Sequence, residues 1–176
     1  SYQGVVGINL GANKNSTDRI KDYTKVLQCC GPFVDFATIN VSSPNTENLR
    51  DFQEKNSLEN LVYQVLDCRY NLKNKIPIFL KIAPDLSLKQ IDDIAEIALK
   101  MDIDAIVATN TTTDRQGIKS KLKNEKGGLS GKPLFPKSTW VLAHLSERLN
   151  NKVALIGVGG ISSAIDAYQK LLAGAT

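Results

Sequence analysis

The sequence predicts an α/β fold built on a parallel sheet. Two observations carry this: five short apolar, β-branched runs recur along the 176 residues, and helical patterns separate each run from the next. The runs are nearly continuous in hydrophobicity, as expected of strands buried on both faces of a parallel sheet.

Taken in order, the first strand is expected from Val5 to Leu10, followed by a helix near residues 16–30. The second runs from Ala37 to Val41. It precedes the clearest helical pattern, in which Leu58, Leu61, Val62, Val65 and Leu66 share one face. The third strand, Ile76 to Ile82, leads into a helix with Leu88, Ile91, Ile94, Ala95 and Ala98 on its apolar side. Ser87, three residues before Gln90, reads as a capping box, in which each side chain satisfies the other residue's backbone N–H. The fourth and fifth strands are Ile103 to Thr109 and Val153 to Val158, with helices near 137–149 and 163–173.

Composition narrows the function classes. The chain is 42% hydrophobic and 23% charged, enough apolar mass for a sizeable core. Its net charge of +4 comes from 22 basic and 18 acidic residues that are interleaved, which argues against nucleic-acid binding. The densest basic stretch, Lys119, Lys121, Lys123 and Lys126, is interrupted by Glu125 and reads as a solvated loop. Cys29 and Cys30 are adjacent and Cys68 stands alone, so neither a CxxC pair nor a disulfide framework is present and a reducing compartment fits. No run approaches the ~18 apolar residues of a spanning helix, and the N-terminus lacks a signal-peptide layout. Any membrane contact is therefore expected from outside this segment. His144 lies in a helical pattern beside Leu142 and Leu145, with nothing near it to complete a metal site or triad.

No linker or composition shift interrupts the chain, so residues 1–176 read as one domain. Five βα units do not close a (β/α)₈ barrel, which takes eight strands and about 250 residues; a barrel reading makes the chain an incomplete segment. The alternative is a doubly wound open sheet, complete at this length.

The chemistry is written at the carboxyl ends of the strands, where parallel α/β proteins build their sites. The first strand ends in Asn9, Leu10 and Gly11, the second in Asn40 followed by Val41 to Thr46; the third carries Lys81, and the fourth ends in Thr109, Asn110 and Thr111. The fifth runs into Gly157 to Gly160. A lone Asn there is commonly a turn residue and a lone Lys a snorkelling surface group. Five polar ends on one side of a sheet are not explained by turns. Two connections, 42–56 and 111–136, are long enough to be lids or binding loops. Gly127, Gly128, Ser130 and Gly131 in the second, with Gly157 to Gly160 before a helix opening at Ser162 or Ser163, are suited to close approach of backbone N–H groups to a phosphate.

The segments GINLGANK (7–14), INVSSPNTENLR (39–50), FLKIAPDLS (79–87), ATNTT (108–112), GGLSGKPL (127–134) and IGVGGISS (156–163) resemble the signature blocks of class 2, quinone-dependent dihydroorotate dehydrogenases. The similarity runs the whole length of the chain, in order and at the family's spacing. It implies a TIM (β/α)₈ barrel of which this chain holds strands three to seven, and an FMN-dependent oxidation of dihydroorotate to orotate with a quinone as electron acceptor. By the same resemblance Asn9, Asn40, Lys81, Thr109, Asn110, Ser130, Gly131, Gly159 and Gly160 match positions that hold FMN. Asn40, Asn45, Thr46, Asn110 and Thr111 match the orotate-binding positions, and Ser43 the catalytic base. A serine hydroxyl is a weak base and needs a relay for its proton, a water or Thr46. The resemblance also implies a peripheral membrane protein, attached through N-terminal helices upstream of Ser1 to the cytoplasmic face of a bacterial inner membrane or, alternatively, to the mitochondrial inner membrane. The ANK and GKPLF details lean bacterial. Cysteine-base dihydroorotate dehydrogenases and dihydropyrimidine dehydrogenase domains share the fold, but Ser43 stands where they carry Cys. An inactive barrel fragment is the non-enzymatic alternative.

Overall fold

The computed structural model describes residues 4–46 and 49–176. Five strands, β1 (Gly7–Leu10), β2 (Phe36–Asn40), β3 (Ile78–Ile82), β4 (Ala105–Ala108) and β5 (Ala154–Gly157), form one parallel sheet in chain order. Each is followed by a helix: α1 (Arg19–Cys30), α2 (Lys55–Tyr70), α3 (Leu88–Lys100), α4 (Phe135–Leu149) and α5 (Ala164–Leu172).

Local chemistry sets the helix starts. Asp18 opens α1 by accepting from the Lys21 N–H at 3.1 Å. The Ser87–Gln90 capping box forms as the spacing predicts, with Gln90 N donating to Ser87 Oγ at 3.3 Å and Ser87 N to Gln90 Oε1 at 3.0 Å. Ser163 caps α5 through the Asp166 N–H at 3.1 Å. The α2 stripe buries Leu58, Leu61, Val62 and Val65 as expected, but Leu66 is only half-buried, and Leu88 of the expected α3 stripe is exposed.

The core lies between sheet and helices. Leu10, Ile39, Leu80, Ile82 and Ile106 point from the strands into it and are fully buried, meeting Tyr23, Leu61, Ile94 and Leu142 from the helices. Each such side chain contributes roughly 1.5–3 kcal/mol by leaving water. The opposite face differs from the sequence expectation of strands buried on both sides. Gly7, Asn9, Ala154 and Ile156 on it are exposed, and Phe36, Thr38, Asn40, Phe79 and Lys81 are half-buried; only β4 is buried on both faces as expected, through Ala105 and Val107. Five strands curve without closing, so no strand stands across from this face to cover it.

Strand order decides between the two architectures. A doubly wound sheet reverses order at a switch point and carries helices on both faces, whereas here the order never reverses and one face alone is helix-covered. The sheet is an arc of a (β/α)₈ barrel.

His144 packs in α4, its ring stacked on Trp140 and its Nε2 3.1 Å from Asp92 Oδ1. Lys119, Lys121, Lys123 and Lys126 are all exposed. Among the described residues no helix is long and apolar enough to cross a membrane.

Candidate active site

Register puts the polar strand residues on the inward face. Asn40 pairs with Lys81, and Lys81 with Val107, forming the layer nearest the carboxyl ends; Asn9 pairs with Thr38 one layer below. Phe79, in register with Thr38, and Phe36, a layer lower, stack with centroids 4.8 Å apart and floor the concavity. An added Cβ at Gly7 would lie 2.1 Å from the Phe36 ring, which explains the glycine there. Lys81 makes no hydrogen bond or ion pair among the described residues, so its amine stands as a cation without an acid in a half-buried, amide-lined layer.

Above that layer one hydrogen-bonded chain joins two strand ends. Ser42 Oγ donates to Asn40 Oδ1 at 3.0 Å and accepts from Asn110 Nδ2 at 3.1 Å, and Asn110 Oδ1 accepts from the Thr111 N–H at 2.8 Å. The buried Tyr23 hydroxyl donates to Asn40 O at 2.9 Å and fixes the end of β2; burial pushes its pKa well above the ordinary tyrosine range. Thr109 is buried, with its N–H on Val158 O at 3.0 Å.

The chain separates the adjacent serines. Ser42 is fully buried and its hydroxyl is used on both sides. Ser43 is half-buried, and its Oγ accepts only a long bond of 3.3 Å from Asn45 N, so its proton is uncommitted. Asn45 is exposed and Thr46 half-buried beside it; among the described residues Thr46 makes no side-chain hydrogen bond to Ser43.

Sequence reasoning missed the pair that holds these loops together. Arg50 donates from Nε to Ser42 O at 3.3 Å, from one terminal nitrogen to Thr111 O at 3.0 Å, and from the other to Asp85 Oδ2 at 2.9 Å. Asp85 also receives the Thr112 hydroxyl, the Thr113 N–H at 2.9 Å and Lys137 Nζ at 3.1 Å. Burial pushes the Asp85 carboxyl up, but these donors outweigh it and hold the pKa at about 2. Arg50 ends the INVSSPNTENLR segment and Asp85 lies in FLKIAPDLS. Opposite charges in successive strand-end loops were the available signal.

The long loops are more ordered than their lengths imply. Residues 42–56 contain a 3₁₀ turn, Leu49–Gln53, and α2 begins at Lys55. In the 111–136 connection, Thr112 and Leu129 form an antiparallel bridge with N···O distances of 3.1 and 2.7 Å. This lays Gly128 against Thr111, where an added Cβ would fall 1.7 Å from Thr111 Oγ1. Ser130 is exposed beyond it. Gly131, Gly159 and Gly160 have φ of 77°, 115° and 76°, and an added Cβ at Gly160 would lie 2.8 Å from Gly131 O, so the two glycine clusters meet.

Amides, a cation and two apposed glycine turns at the carboxyl ends of an inward-facing arc define a segment of a (β/α)₈-barrel protein with its ligand site at the strand ends. The dihydroorotate dehydrogenase family model matches residues 1–176, and the chain belongs to that family. It is 54% identical over 171 residues to the dihydroorotate dehydrogenase (quinone) of Cereibacter sphaeroides, covering 97% of this chain and 48% of that protein. With the enzyme of the same name from Bartonella henselae it shares 49% over 177 residues, 98% of this chain and 49% of the relative. A crystal structure of a dihydroorotate dehydrogenase from Eimeria tenella in complex with ferulenol superposes with a TM-score of 0.92 at 34% identity, over 97% of this chain and 50% of that one. The chain thus spans about half the length of the curated relatives it matches.

Proposed function

We propose that the parent protein oxidises dihydroorotate to orotate in pyrimidine biosynthesis, with FMN as cofactor and a quinone as electron acceptor. The observation that carries this reading is the layer of Asn40 and Lys81 beneath the Ser42–Asn110–Thr111 chain, with Ser43 left uncommitted at its edge. Family membership and the quinone-named relatives support it.

The residues present fit FMN. Lys81 is a cation without an acid partner among the described residues, the amides of Asn9, Asn40 and Asn110 face the same concavity from strand ends, and the turns at Gly131 and Gly159–Gly160 leave bare backbone, required by positive φ at all three and by close neighbours at Gly159 and Gly160. These residues, with Thr109 and Ser130, would hold the cofactor. When bound, FMN supplies the acceptor for the hydride leaving C6 of dihydroorotate. Lys81 holds a fixed positive charge against an electron-rich ring, an electrostatic contribution that needs no reorganisation.

Asn40, Asn45, Thr46, Asn110 and Thr111 bind and orient the substrate. The Asn110 carboxamide is held at both ends, by Ser42 and by the Thr111 N–H, so its orientation is set before substrate arrives. Ser43 Oγ takes the proton from C5, and its own proton passes to a water or to Thr46. Ser42 cannot serve, because its oxygen and its hydrogen are already engaged. Use of a membrane-soluble quinone places the parent at a membrane surface, in a bacterium the cytoplasmic face of the inner membrane or, alternatively, the mitochondrial inner membrane.

Ser43→Ala in the full-length enzyme is expected to leave FMN content and orotate binding nearly intact while slowing flavin reduction by roughly 10²–10⁴-fold. Ser43→Cys should retain some rate that rises with pH as thiolate forms. Rapid mixing with dihydroorotate reads this directly, and an Ala variant that bleaches its flavin at the parent rate returns Ser43 to a turn-forming role.

A further inference from the structure

Lys170 is the one buried basic side chain among the described residues, 2% exposed in α5. Its Nζ donates to Ser138 Oγ at 2.6 Å and lies 5.0 Å from the centre of the Phe135 ring. Among the described residues no carboxylate pairs with it. Asp166, one turn earlier, is taken up by Ser162 N at 2.9 Å and Ser162 Oγ at 3.0 Å. On α4, which packs against it, Lys137 is engaged by Asp85 and Asp114, and His144 and Arg148 by Asp92. Strand β5 carries no ionisable side chain. Burial alone holds the amine down at about 8.

A buried cation without a counter-ion is costly and is kept where another charge completes it. Above Lys170 lies the Gly159–Gly160 turn. Ser138, the partner of Lys170, also reaches Gly159 O at 3.1 Å; an added Cβ at Gly159 would sit 2.9 Å from Ser138 Oγ, and one at Gly160 2.6 Å from Phe135 Cβ. Lys170, Ser138 and Phe135 are therefore the floor of the turn. The turn borders, through Gly160, a cleft of about 360 Å³ that also includes Lys132, Ser162, Ser163 and Asp166, whose carboxylate is turned onto Ser162 at the start of α5.

The geometry points to Lys170 as a positioning residue and buried counter-charge for a phosphate monoester seated on the Gly159–Gly160 turn, with Ser138 as the link between amine and turn. This rests on the FMN reading above, in which that monoester is the cofactor's phosphate. The missing negative charge comes from the ligand, which accounts for Lys170 having no carboxylate partner among the described residues.

Full-length apoprotein titrated with FMN and with riboflavin, which lacks the phosphate, tests the assignment. Lys170→Met should weaken FMN about tenfold or more and leave riboflavin unchanged, since only the charge on the phosphate is lost. The same variant should melt higher as apoprotein, because an uncompensated buried charge has gone. Wild-type apoprotein stability should also rise between pH 8 and 10.5, where the unfolded amine still binds a proton that the folded one has lost, and Lys170→Met should flatten that rise. Ser138→Ala, which cuts the link but keeps the charge, should lower the preference for FMN over riboflavin severalfold. Equal weakening of both ligands with a lower melting temperature, or FMN binding unaltered in both variants, overturns the role of Lys170. A wild-type protein that takes up no FMN instead overturns the functional reading itself.

Discussion

Ser42 and Ser43 are neighbours in sequence, yet one hydroxyl is locked between two asparagines while the other, half-buried, accepts only a long bond from Asn45 N among the described residues. The lock depends on Arg50, whose planar fork reaches Ser42 O, Thr111 O and Asp85 at once. A lysine can replace the charge but not the fork. Arg50→Lys in the full-length enzyme is therefore expected to lower turnover about tenfold, one mispositioned hydrogen bond's worth, while the melting temperature falls by only a few degrees. Steady-state kinetics with calorimetry checks this, and unchanged turnover would show that the loops hold without Arg50. Asp85 adds a pH signature. Its carboxyl is held at about 2 against an ordinary 3.8, so its contribution to stability is present above pH 4 and lost as pH falls towards 2. Neither Arg50 nor Asp85 could be assigned a partner from sequence: they are 35 residues apart, and only strand register brings them together. Lys170 was equally hidden, since a lysine near a helix end reads as a surface group.

The strands and helices were legible to within a few residues, because periodicity and caps are local. The α3 capping box stands where the spacing put it, α5 opens behind Ser163, one of the two serines expected to start it, and α1 starts at Arg19 behind an Asp18 cap. Loop folding was not legible, since it is made by contacts between distant segments. The Thr112–Leu129 bridge turns a connection of open length into a flap that lays Gly128 on Thr111. Gly128→Ala should therefore displace Thr111 without unfolding the barrel. Orotate affinity is expected to fall at least several-fold with a stability loss within about 1–3 kcal/mol, the ordinary range for overpacking. Spectral titration of the full-length enzyme with orotate measures it, and native affinity would mean the flap lifts freely.

Across the whole chain, sequence reasoning foresaw the parallel order and the incomplete barrel but not the one-sided burial. Apolar runs such as IFLKI look buried throughout, whereas on the inward face only β4, with Ala105 and Val107, keeps its side chains buried. Strands β1 and β5 end the sheet, and α5 presents Ile165, Tyr168, Leu171 and Leu172 to solvent, the first at 70% exposure. Residues 1–176 expressed alone should be inactive and poorly soluble. A monomeric 19.2 kDa product that melts cooperatively and turns over substrate would refute this. The sheet order has a further consequence for how the molecule comes into being. Because each strand hydrogen-bonds to the one made just before it, closure distances along the chain stay short. A ribosome releasing the polypeptide from its amino end presents each strand after β1 with an edge already made, so these five strands add one by one as they emerge, while the edges of β1 and β5 stay open within this segment.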